Sequence, residues 1–164
     1  EIAIIAMADS VSPAADQRLE RMRAEAMARA LHLEGLPRVD GTFSATSGAA
    51  AAAQLLVENP DLTALIALND RMALGAIREL QKLGYSVPQQ VSVIGYDDLP
   101  QSNEITPPLT TINQQLAQWG GLAMNMLLEV ISGKTPDPLI LQPRLVARQS
   151  TAEPYLLDRQ EAAG

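Results

Sequence analysis

The sequence predicts an α/β fold built on a doubly wound parallel sheet, and one stretch carries most of that prediction. Ala64 to Leu68 is an apolar run too short for an ordinary helix and suited to a strand buried on both faces. Asn69-Asp70 follows at once, and such side chains cap helices by accepting a bond from an unpartnered amide. Ala73, Ile77, Leu80 and Leu83 then recur at helical spacing, and Gly84 supplies a left-handed stop. After a polar turn near Pro88 comes a second apolar run, Val91 to Ile94, ended by Gly95. Crossovers of this strand–helix–strand kind are almost always right-handed, with parallel strands.

Polar residues fall where this architecture binds ligands. Asn69 and Asp97-Asp98 each sit just past the carboxyl end of a predicted strand, the ligand edge of an open parallel sheet. An amide and a carboxylate would face one crevice. The competing reading is structural: Asn69 and Asp70 only cap a helix, and Asp97-Asp98 only open the turn before Pro100.

The remaining elements fit the same pattern. Ile2 to Met7 is a first buried strand, with Asp9 to Pro13 as the loop leaving it. A helix starting near Ala14 to Asp16 would present Leu19, Met22, Ala26, Ala30 and Leu33 as its apolar stripe, before Gly35 and Pro37 stop it. Arg38 to Thr42 is a short strand, and Ser44 is positioned to cap an alanine-rich helix running to Glu58. Leu99 to Pro108 reads as a loop and Leu109 to Ile112 as extended chain. From Leu116 a helix carries Gly120, Ala123, Met124, Leu127 and Ile131 on one face and stops at Ser132-Gly133. Leu139 to Leu141 and Leu145 to Ala147 read as short strands. From Pro154 the chain reads as a polar, alanine-rich tail.

Composition excludes several chemistries. With 164 residues the chain can bury a sizeable core as one domain. No cysteine and a single histidine, His32, leave no thiol chemistry, no disulfide framework and no histidine dyad. No glycine-rich phosphate loop is present, since Gly75 lies inside a predicted helix and Gly120-Gly121 opens none, so no cofactor is expected. Asp97-Asp98 alone is too small a set for a metal, because adjacent side chains in extended chain point apart. The net charge of −7 repels phosphate backbones, so this chain is not expected to grip DNA itself. No run reaches the length of a membrane span, and the acidic start at Glu1 does not suit a signal peptide.

Taken together, NDRMALGAIRELQKLGYSVPQQVSVIGYDD and the later PPLTTI segment resemble the effector-binding core of the lac repressor/galactose repressor (LacI/GalR) family of bacterial transcription regulators. The resemblance runs from Ile2 to about Pro154. It implies a periplasmic-binding-protein-like lobe, and a sugar-binding crevice shared by Arg18, Phe43, Asn69, Asp97, Gln115 and Leu116. Arg18-Leu19 fits the family's sugar-binding arginine, and Phe43 sits where relatives carry an aromatic against the sugar's apolar face. Ser12 or Asp16 could also meet ligand. Without the resemblance, Arg18 would read as a surface ion-pair residue and Phe43 as core packing.

By the same resemblance, 1–107 and 146–154 form one lobe, 116–143 a segment of a second and mostly absent lobe, and 155–164 a tail. The chain then reads as a fragment. DNA would be reached only through a helix-turn-helix headpiece outside it. The implied protein is a cytoplasmic homodimer with a small sugar or sugar derivative as effector and no membrane contact, and the Leu116 helix would lie buried at or near the dimer contact. Half a crevice would bind sugar weakly. The alternative is a periplasmic sugar-binding protein of a transporter, which shares the fold. An enzyme would need a nucleophile with a base, a metal or a cofactor fingerprint, and none is legible.

Overall fold

A computed structural model describes residues 1–8, 12–29 and 35–153. The chain alternates strand and helix from its start: β1 (Ile2–Met7), α1 (Pro13–Ala28), β2 (Arg38–Gly41), α2 (Ala45–Glu58), β3 (Ala64–Ala67), α3 (Asp70–Lys82) and β4 (Ser92–Ile94). A one-turn α4 (Gln101–Glu104), then β5 (Thr111–Asn113), α5 (Leu116–Ile131) and β6 (Arg144–Val146) complete it. The expected loop from Leu99 to Pro108 therefore contains a helical turn. Leu139 to Leu141 forms no strand, and the last strand lies one residue earlier than its apolar residues suggested. Asp9 to Val11, Ala30, His32, Leu33 and the segment from Pro154 onward lie outside the described residues.

β1 to β4 form a parallel sheet in the order β2-β1-β3-β4. Parallel bridges from Ile94 to Thr110 and from Asp97 to Asn113 carry β5 along the far edge of β4, and β6 pairs antiparallel to β5. Because β2 lies on one side of β1 and β3 on the other, right-handed crossovers put α1 on one face and α2 and α3 on the opposite one. Strand order reverses between β1 and β3, and the crevice of a doubly wound sheet opens at that point, beyond the carboxyl ends.

Packing explains the short strands. Ile4, Ile5, Leu65 and Val93 are buried with Leu55, Met72, Ile77 and Leu80 of the helices, so both sheet faces are covered. α2 and α3 approach closely enough that a Cβ on Gly75 would overlap the carbonyl of Ala45. Gly75 is thus a packing glycine inside a helix. Gly84, at φ +88, ends α3 as expected, although Leu83 is 48% exposed and lies off the buried stripe.

α5 departs from this scheme. None of its residues is buried, and Leu116, Met124, Leu127, Leu128 and Ile131 are all at least half exposed. Ser150, by contrast, is fully buried: its backbone and hydroxyl bond Val93, and its hydroxyl accepts from the Thr110 amide at 2.7 Å. The chain just after β6 is therefore stitched between β4 and β5.

Candidate functional site

The elements around the switch point fix the direction of the side chains placed there. Ser12 caps α1, accepting from the Ala15 amide at 3.3 Å, and so sets the entry of the helix that carries Arg18. Arg18 reaches across β1 to β3, where its Nη1 donates to the carbonyl of Leu68, and its guanidinium lies 3.5 Å above the centre of the Tyr96 ring. Asn69 caps α3: its Oδ1 accepts from the Met72 amide at 2.9 Å and its Nδ2 donates to the Phe43 carbonyl at 3.2 Å. The loop after β2 is thereby tied to the end of β3.

Asp97 completes the group. Its amide donates to the Ile112 carbonyl at 2.9 Å, and its Oδ1 accepts from Gln114 Nε2 at 2.5 Å. Burial pushes its carboxyl above the ordinary aspartate range. The Gln114 bond opposes that shift, the charge of Asp70 adds to it, and Arg18 and the Asp70 amide oppose it. The Arg18 charge therefore acts directly on Asp97.

The backbone is strained at the same edge. Phe43, Asp97, Asp98 and Gln115 have φ of 58°, 129°, 59° and 59°, conformations side-chain-bearing residues rarely adopt. Strain of this kind costs of order 1–3 kcal/mol per residue and clusters at ligand clamps and active sites.

The expected residues do not all converge. Arg18 lies against Tyr96, the residue before Asp97, and Asn69 ties the Phe43 carbonyl to the end of β3 while the Phe43 ring packs partly against the core. Gln115 turns away: its amide donates to Asn113 Oδ1 and its side chain to the Gln142 carbonyl. Leu116 is half exposed at the start of α5. Tyr96 and Gln114 were missed. Alternation along β5 is the signal that would have found Gln114, since Thr111 and Asn113 point to Asp70 and Asp98 while the next position meets Asp97.

Asp70 and Asp98 prove structural. Asp98 pairs with Arg148 at 2.6 Å, both side chains mostly covered. Asp70, fully buried, accepts from the Leu99 amide and from the hydroxyls of Ser102 and Thr111. A separate concavity of about 490 Å³ lies between α2, α3 and α4, lined by Ala45, Arg71, Leu74, Arg78, Leu99, Pro100 and Gln101. It has two cations and no carboxylate, so the matched donor and acceptor at the switch point mark the better candidate site. Among the described residues no cluster of histidine, cysteine or carboxylate side chains could hold a metal, and no helix is long and apolar enough to cross a membrane.

A family model described as a periplasmic binding protein-like domain matches residues 1–151. The chain belongs to that family. Its relatives include the HTH-type transcriptional repressor PurR of Edwardsiella ictaluri, 38% identical over 73% of this chain and 36% of PurR. The solved transcriptional regulator CelR–cellobiose complex superposes with a TM-score of 0.81 at 34% identity, over 91% of this chain and 46% of CelR. A dimeric lac repressor gives 0.86 at 34% identity, over 94% of this chain and 56% of the repressor. The resemblance to LacI-type regulators read from the motifs therefore holds, and the periplasmic-binding-protein-like α/β fold with it. The chain spans 36–40% of the length of two curated relatives, PurR of Edwardsiella ictaluri and CelR of Thermobifida fusca.

Proposed function

We propose that this chain is the effector-binding part of a LacI-type transcription regulator, taking a small sugar and coupling it to a helix-turn-helix carried elsewhere in the protein. The observation that carries the reading is the placement of Arg18 at the end of β3 and against the Tyr96 ring, which brings its guanidinium beside the neighbouring Asp97 at the switch point. A guanidinium donates and a carboxylate accepts, so the two can satisfy neighbouring hydroxyls of one neutral polyol. Asn69 would hold the Phe43 loop in place beside them, and Leu116, half exposed at the start of α5, would offer apolar contact, whereas Gln115 is engaged with Asn113 and Gln142. A similar protein, CelR, is described as a complex with cellobiose. The transporter alternative is less supported, because the relatives are HTH-type regulators. We read the chain as a binding protein of the cytoplasm, not an enzyme, with DNA contacted only through a headpiece.

A melting screen over common sugars and sugar phosphates tests this. A ligand of the folded state at a hundred times its Kd adds about 2.7 kcal/mol of stability. The expected result is a rise in melting temperature with one sugar class. No rise with any sugar at high concentration, in the chain and in the full-length protein alike, would sink the reading.

The lobe division rests on α5. We assign 1–107 and 146–154 to one lobe and 116–143 to the other, since the apolar side chains of α5 lack cover among the described residues. Burying such side chains contributes ~1.5–3 kcal/mol each, which favours a partner. Light scattering at several concentrations is expected to show a homodimer with α5 at or near the contact. A stable monomer whose α5 amides resist hydrogen exchange would contradict that.

A further inference from the structure

Arg18 could be a mobile cation on a long stem, but three features of its surroundings deny it that freedom. Its Nη1 is held by the Leu68 carbonyl at the end of β3. One face of its guanidinium rests on the Tyr96 ring, 3.5 Å from the centroid. Tyr96 in turn sits on a segment pinned on both sides. The Gly95 amide donates to the Thr110 carbonyl at 3.0 Å, the Asp97 amide to the Ile112 carbonyl at 2.9 Å, and the Tyr96 carbonyl accepts from the Asp70 amide at 2.8 Å. β3, β4, β5 and the start of α3 therefore all fix the plane in which the guanidinium lies.

We propose that Tyr96 is a positioning residue: its ring holds the Arg18 guanidinium flat, so that the remaining N–H donors form a rigid planar fork toward the crevice. The inference rests on the crevice reading above and adds what that reading lacks, a reason for the arginine's fixed orientation. A guanidinium has five N–H donors in one plane, and only one is taken by Leu68. A fork held in plane recognises two neighbouring acceptors together, and less side-chain freedom is lost when a ligand arrives. A lysine could not replace it, because an ammonium neither stacks as a plane nor donates as a fork. Tyr96 touches the ligand only through Arg18.

The test compares Tyr96→Phe, which keeps the ring, with Tyr96→Leu, which removes it while staying apolar. In nitrogen–proton NMR spectra of the free chain, the Arg18 Nε–Hε signal is expected to be displaced by the ring current and to show slowed guanidinium rotation. Both signatures should survive in Tyr96→Phe and vanish in Tyr96→Leu. With cellobiose as the calorimetric probe, Tyr96→Leu should weaken binding roughly three- to thirtyfold, the range of one cation–π contact, and Tyr96→Phe should restore it. An unshifted, freely rotating Arg18 signal in the wild-type chain overturns the proposal. So does cellobiose affinity that is the same in Tyr96→Leu and wild type. If wild-type protein does not take cellobiose, the NMR comparison decides alone, because it needs no ligand. The two failures stay distinct: an Arg18→Met variant that still shows the wild-type sugar-induced melting shift would count against the crevice reading itself.

Discussion

In the full-length protein, Asp97→Ala is expected to weaken sugar binding about ten- to 150-fold. One hydrogen bond to a charged group is worth ~1.5–3 kcal/mol, and that range converts to this loss of affinity. Asp97→Asn separates charge from shape. Burial raises the Asp97 pKa, so the folded protein holds that proton more tightly than the unfolded chain does. Its stabilising contribution is therefore present at low pH and is lost as pH rises from the ordinary aspartate value through the raised one. At neutral pH the ionised carboxyl opposes folding, and Asp97→Asn should melt at or above the wild-type temperature while binding sugar less well. Ligand affinity should run the other way with pH, because the crevice needs the ionised acceptor. It should fall with acidification at a higher pH than an ordinary aspartate would give. Calorimetry across pH checks both trends, and unchanged affinity in a folded Asp97→Ala variant would remove Asp97 from the site.

Asp70→Ala is expected to cost about 3–5 kcal/mol of folding stability, the range for breaking a buried hydrogen-bond network. The carboxylate is fully buried and accepts from Leu99, Ser102 and Thr111, joining the start of α3 to α4 and β5. Alanine would leave a part-buried amide and two buried hydroxyls without their acceptor. In a chain of this size each kcal/mol moves the melting temperature by roughly 2–4 °C, so a drop of about 6–20 °C is expected. Asp70→Asn should fall between, since its amide offers one acceptor where the carboxylate offers two oxygens. The surroundings are built for the carboxylate: a Cβ on Gly95 would collide with Asp70 Oδ1. Denaturant unfolding in which Asp70→Ala loses under ~1 kcal/mol would show that the network does not hold these elements together.

Much of this protein was determined by its sequence alone. The apolar runs Ile2 to Met7 and Ala64 to Leu68 located two strands, and Ser44 and Asn69 located two helix starts, because strand burial and N-capping are local physics. The same logic put Asn69 and Asp97 at one sheet edge, and the family resemblance added Arg18. Tertiary structure decided what local pattern could not reach. Asn69-Asp70 and Asp97-Asp98 are pairs of similar side chains, and only the packing of α3, α4 and β5 sends Asp70 and Asp98 inward and leaves Asp97 at the crevice. Gln114 and Gln115 are likewise identical in type. The left-handed turn at Gln115 breaks the strand's alternation, so that Gln114 meets Asp97 while Gln115 meets Gln142. Tyr96 under Arg18 joins residues 78 positions apart, a contact that exists only once α1 and the segment after β4 meet at the carboxyl end of the sheet. Helical spacing predicted α5, but spacing only says that a face is apolar and not what covers it, and among the described residues nothing buries it.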